Sequence, residues 1–187
     1  MLIFLGIVVL LITGILIFRI APTSQRTAET EFNGTRYVAL GDSYTIGEGA
    51  TEAESWPSVM TTHLNQNGVN IRLIANPSVT GWTTQDVINN ELRVFDASNP
   101  TFATLLIGVN DWVQGVPKET FKQNLVIILD RMQQKLPDKS KLILVTIPDF
   151  SVTPKGNLYG NGRDIRAGIN EFNEIIKEEG KKRNLPV

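Results

Sequence analysis

Four short apolar runs, each followed by a stretch of helical periodicity, constrain this chain more than any other feature. From Thr35 onward the runs are "YVAL" (37–40), "NIRLIA" (70–75), "FATLLI" (102–107) and "KLILVTI" (141–147). The first is followed by Trp56, Val59, Met60, His63 and Leu64 at helical spacing. After the second, Thr83 and Asp86 form a capping box ahead of Ile88, Leu92 and Phe95. After the third, Pro117 sits as a first helical residue before Phe121, Leu125, Ile128, Leu129, Met132 and Leu136. Ile165, Ile169, Phe172 and Ile176 mark a last helix. The third run is apolar on both faces, as strands buried on both sides are. This alternation predicts an α/β domain with a parallel sheet and helices on both faces.

Ligands of such sheets bind beyond the carboxyl ends of the strands. Three polar, glycine-containing segments fall there: "GDSY" (41–44), "NPSVTGWTT" (76–84) and "GVND" (108–111). Each alone is ordinary turn chemistry. On one rim they suit acyl transfer, in which a serine oxygen attacks a carbonyl and the developing negative charge needs fixed donors about 3 Å away. Ser43 and Gly81 each offer a backbone N–H and Asn110 offers a side-chain amide. Glycine at 81 lets the main chain approach a substrate without a Cβ. A serine entering a helix also presents its N–H groups to an anion.

These blocks resemble the SGNH hydrolase superfamily, the GDSL esterases and lipases. The resemblance covers about residues 35–187. It implies a three-layer α/β/α sandwich of flavodoxin-like type, with Ser43 as nucleophile and Gly81 and Asn110 in the oxyanion hole. "IPDFSVTP" (147–154) also resembles the loop after the fourth strand of bacterial members. The implied substrate is a small acyl ester: a lipid, a thioester or an O-acetyl group. No cofactor and no metal are implied.

The family's late D-x-x-H motif, source of the remaining triad members, does not occur here. The chain closes on "KKRNLPV", which reads as the approach to a fifth strand, so the expectation is a domain incomplete at its C-terminus. The only histidine, His63, lies on a helix stripe and reads as a packing or surface residue. Asp42 and Asp111 are supporting candidates, Asp111 as a brace for the third-strand loop. Asp164 fits a helix start. Tyr44 and Trp82 are candidates for lining an acyl pocket. A non-catalytic SGNH-like or flavodoxin-like ligand-binding domain is the alternative function.

The N-terminus is of another kind. Residues 2–18 carry no charge, and at 1.5 Å per residue they span about 26 Å, enough for a thin bilayer core. No Lys or Arg precedes the run, which favours a single-pass anchor over a cleaved signal peptide. Residues 21–34 read as a linker. An anchored, extracytoplasmic domain is expected, although Arg19 and Arg26 pull the other way by the positive-inside rule. A formal net charge of -1 gives no basic surface for nucleic acid, and the absence of cysteine excludes disulfides and thiolate metal sites.

Overall fold

A computed structural model describes residues 32–187, of which Asn33–Val187 form one unit. The four apolar runs become β1 (Thr35–Gly41), β2 (Ile71–Ala75), β3 (Phe102–Leu106) and β4 (Leu142–Leu144), all parallel in the order β2-β1-β3-β4. Parallel neighbours need long crossovers, and helices supply them. The first is α1 (Ser43–Ile46) followed by α2 (Trp56–Gln66). The second joins α3 (Thr84–Asp86) through a π turn, Val87–Glu91, to α4 (Leu92–Ala97). Then come α5 (Val109–Gln114), α6 (Lys118–Lys135) and, after β4, α7 (Ile165–Arg183).

Strand alternation divides the sheet into two unequal faces. Val38, Leu40, Ala103, Leu105, Leu142 and Leu144 join the main core with Phe95 of α4, Phe121, Leu125 and Leu129 of α6, and Ile169, Phe172 and Ile176 of α7. The opposite face is thinner. Tyr37, Ala39 and Ile71 pack there with Met60 and Leu64 of α2, and the Tyr37 hydroxyl meets Thr104 Oγ1 at 2.7 Å. Helices therefore do cover both faces, with three elements on one side and, among the described residues, α2 on the other.

The thin face explains one departure from the expected pattern. Val59 was expected on the apolar stripe, yet it is 52% exposed, and His63 is exposed beside it. A single helix over a narrow cluster buries only the Met60–Leu64 line. A second departure concerns the helix after the serine. α1 is a single turn ended by Gly47 in the left-handed region, and α2 begins only at Trp56. Pro117 caps α6 instead of opening it.

β4 is shorter than its apolar run. Val145 N–H still donates to Leu105 O at 2.9 Å, but Ile147 leaves the ladder. Both of its backbone groups are taken by Asn173 of α7, N–H to Oδ1 at 2.7 Å and O from Nδ2 at 2.9 Å. On its outer edge, Leu144 N–H donates to Pro186 O at 3.0 Å, where the sequence suggested a fifth strand begins. The anchor expected over residues 2–18 lies outside the described residues. Among the described residues, no helix is long and apolar enough to cross a membrane.

Candidate active site

Why does β1 stop at Gly41? A Cβ there would collide with Thr45 Oγ1 and Leu106 O, so only glycine lets the chain turn this close to β3. Asp42 then caps α1, its Oδ1 accepting the Tyr44 N–H at 3.0 Å. Ser43 is thereby the first residue of a tight turn at the carboxyl end of a central strand. The turn is only four residues long, so a helix dipole contributes little there; the N–H groups of Tyr44, Thr45 and Ile46 are taken up by Asp42, and that of Ser43 is the local asset.

The second segment is shaped by α5. Gly81 has φ +84°, a left-handed conformation that favours glycine, and a Cβ there would point into open space. Its N–H makes no hydrogen bond among the described residues. Asn110 and Gln114, four residues apart on one face of α5, hold the next carbonyls: Asn110 Nδ2 donates to Trp82 O at 2.8 Å and Gln114 Nε2 to Gly81 O at 3.2 Å. An amide nitrogen carries two hydrogens, so one on Asn110 stays uncommitted to Trp82. Gln114 escaped the sequence reading; its i+4 spacing from Asn110 was the available signal.

Asp111 points the other way, into the protein. It is fully buried and accepts from Thr84 N at 2.9 Å and from Thr84 Oγ1 at 2.5 Å. Asn124 of α6 completes the chain by donating to Thr84 Oγ1 at 3.1 Å. Asp111 thus ties α5 to the start of α3, fixing the Gly81 segment against the Asn110 segment. The expected brace is a bridge between two loops. Burial raises its pKa. Asp42 is likewise buried, and desolvation, with the Asp111 charge adding to it, lifts its carboxyl to about 7.

Ser43, Gly81 and Asn110 line one cleft of about 550 Å³. Tyr44, Val109, Val113, Phe150 and Tyr159 give it apolar walls, and Glu48 sits on its edge. Trp82, expected as a wall, is not among the lining residues. The far wall is held by Arg163, whose guanidinium lies 4.1 Å from the Trp112 ring and donates to Trp112 O and Val113 O at 2.7 and 2.9 Å. His63 on α2 does not line the cleft. Asp164 caps α7, accepting from Ala167 N at 3.0 Å, as expected.

Known proteins of like sequence and fold agree with this picture. Residues 39–187 match the model of the GDSL-like lipase/acylhydrolase family. An arylesterase of Vibrio mimicus is 27% identical over 115 residues, which is 62% of this chain and 54% of that protein. The chain thus spans about half the length of that relative. Among solved structures, AlinE4, described as an SGNH-hydrolase family esterase, is 27% identical with a TM-score of 0.64, covering 82% of this chain and 74% of its own. Axe2, an acetylxylan esterase from Geobacillus stearothermophilus, has a TM-score of 0.67 at 17% identity, over 81% of this chain and 74% of its own, a likeness of fold alone.

Proposed function

Because this chain belongs to the GDSL-like lipase/acylhydrolase family, we propose that it is an SGNH-type serine ester hydrolase built on Ser43. The carrying observation is the convergence of Ser43, Gly81 and Asn110 on one cleft. In this reading the Ser43 hydroxyl attacks the ester carbonyl. The oxyanion meets the free Gly81 N–H, the Ser43 N–H and the uncommitted hydrogen of the Asn110 amide. The alcohol leaves, and water then releases the acyl group from serine. The apolar walls suit an acyl or aryl group on a small ester. An arylesterase and an SGNH esterase among the relatives support that substrate class.

A hydroxyl needs a proton acceptor to become a nucleophile. The one imidazole of this sequence is exposed on α2, outside the cleft lining. That defines the test. Added imidazole in millimolar amounts should raise hydrolysis of 4-nitrophenyl acetate by the chain above imidazole's own background rate. Ser43→Ala should remove the increment, whereas His63→Ala should leave it unchanged. An increment that survives in Ser43→Ala would refute the assignment. A cleft that binds the ester but gives no increment would instead support the ligand-binding alternative.

A further inference from the structure

We propose that Glu91 is a positioning residue for the Ser43 turn: from the π turn its carboxyl reaches the end of β1 and fixes the Gly41 amide, two residues before the serine. The last β1–β2 pair is Val38 with Ala75, so β1 runs on past its neighbour on that side. There the Gly41 N–H donates to Glu91 Oε2 at 3.0 Å, fully inside the protein. A contact spanning 50 residues of sequence thus takes the place of a ladder bond where the strand turns into the site.

The π turn is what makes the reach possible. Glu91 and Leu92 are adjacent and both buried, together with Val87 and Phe95. An α-helix turns adjacent residues about 100° apart, whereas the wider π turn, closed by Leu92 N–H to Val87 O, brings both inward. No apolar side chain at 91 offers an acceptor for Gly41.

The chamber around Glu91 is acidic. Asp42, from the β1–α1 turn, and Asp86, from α3, are the charges that bear on it, and Asp111, from α5, bears on Asp42. Three buried oxygens of this region, Glu91 Oε1, Asp42 Oδ2 and Thr45 Oγ1, have no hydrogen-bond partner among the described residues. Burial, with these negative neighbours adding to it, raises the Glu91 pKa from 4.5 to about 8. Near neutral pH Glu91 is then a neutral acid, one oxygen accepting from Gly41 and the other carrying a proton. The folded chain keeps that proton between about pH 4.5 and 8, where the unfolded chain has lost it. Stability from this group is therefore full below its unfolded pKa and is lost as pH rises through its folded one. Ionisation places a charge two residues from Ser43, so the same titration is felt at the serine.

That Ser43 is the reacting group rests on the function proposed above; the coupling of Glu91 to its turn does not. The test follows the Gly41 and Ser43 amide resonances of the full-length, ¹⁵N-labelled chain in detergent micelles from pH 5 to 9.5. In the native chain both should move with a midpoint near 8, beside the separate step of Asp42 near 7 that Asp42→Asn removes. Glu91→Gln keeps an acceptor for Gly41 without a titrating group. It should hold the Gly41 amide at its native position, abolish the midpoint near 8 and flatten the fall in melting temperature between pH 5 and 8. Glu91→Ala should shift the Gly41 amide and speed its solvent exchange; should it fail to fold, the glutamine variant decides alone. Persistence of the midpoint in Glu91→Gln, or a Ser43 amide blind to the native titration, would overturn the proposal. Loss of the imidazole-dependent hydrolysis with the titration intact would count against the esterase reading only.

Discussion

At the residue scale, Asn110 carries two loads that experiment can separate. Its amide donates to Trp82 O beside Gly81, and in the proposed reaction its second hydrogen would serve the oxyanion in the cleft it lines. If the second role dominates, Asn110→Ala should lower the Ser43-dependent hydrolysis rate by about 10²–10³, the usual loss of an oxyanion donor. KM should stay nearly constant, because the donor acts mainly in the transition state. If the bracket dominates, the variant should lose about 1 kcal/mol of stability, the net worth of one hydrogen bond, with the rate of correctly folded protein little changed. Steady-state kinetics beside thermal denaturation distinguish these outcomes. Asp42 shows why residue type alone is a limited guide. The sequence marks it as a polar neighbour of serine; the fold makes it a buried cap whose carboxyl titrates near 7.

Elements were legible where one physical rule dominates. Buried parallel strands must be apolar throughout, so β1 and β3 stand out, and the carboxyl-end rule then collects Ser43, Gly81 and Asn110 on one rim. The capping box of Thr83 and Asp86 is purely local and appears as expected, with Thr83 N and Oγ1 donating to Asp86 Oδ2 at 2.9 and 2.7 Å. What stayed hidden depends on distant partners. A π turn has no composition of its own, so nothing in "VINNE" announces that Glu91 meets Gly41. Asn173 is similar: in an amphipathic helix it reads as a polar interruption, yet it replaces the ladder for Ile147. Asn173→Leu should therefore strand one buried donor and one buried acceptor. At about 1–3 kcal/mol each, the loss should reach roughly 2–6 kcal/mol and lower the melting temperature by about 5–20 °C. Asn173→Gln, which keeps both an acceptor and a donor at the end of its side chain, should lose less. Equal stability of Asn173→Leu and the native chain in urea denaturation would show that β4 does not need this support.

At the scale of the whole molecule, the start of the described domain and its cleft lie at opposite ends of one strand. The chain enters Asn33–Val187 ahead of Thr35, at the amino end of β1, while Ser43 lies past Gly41 at the carboxyl end. Seven strand residues at about 3.3 Å each separate them by roughly 23 Å. We propose that residues 2–18, uncharged throughout, anchor this domain in a membrane. The full chain should then remain with membranes through a carbonate wash, and deletion of residues 2–18 should release it with its melting temperature and its imidazole-dependent hydrolysis unchanged. Arg19 and Arg26 favour retention of the following segment inside, against the extracytoplasmic placement proposed for the domain. Two arginines are a weak retention signal for a domain of this size, because long domains translocate largely regardless of charge. Protease added to spheroplasts should accordingly digest the domain. Protection until lysis would establish the reverse topology, and release by carbonate would remove the anchor itself.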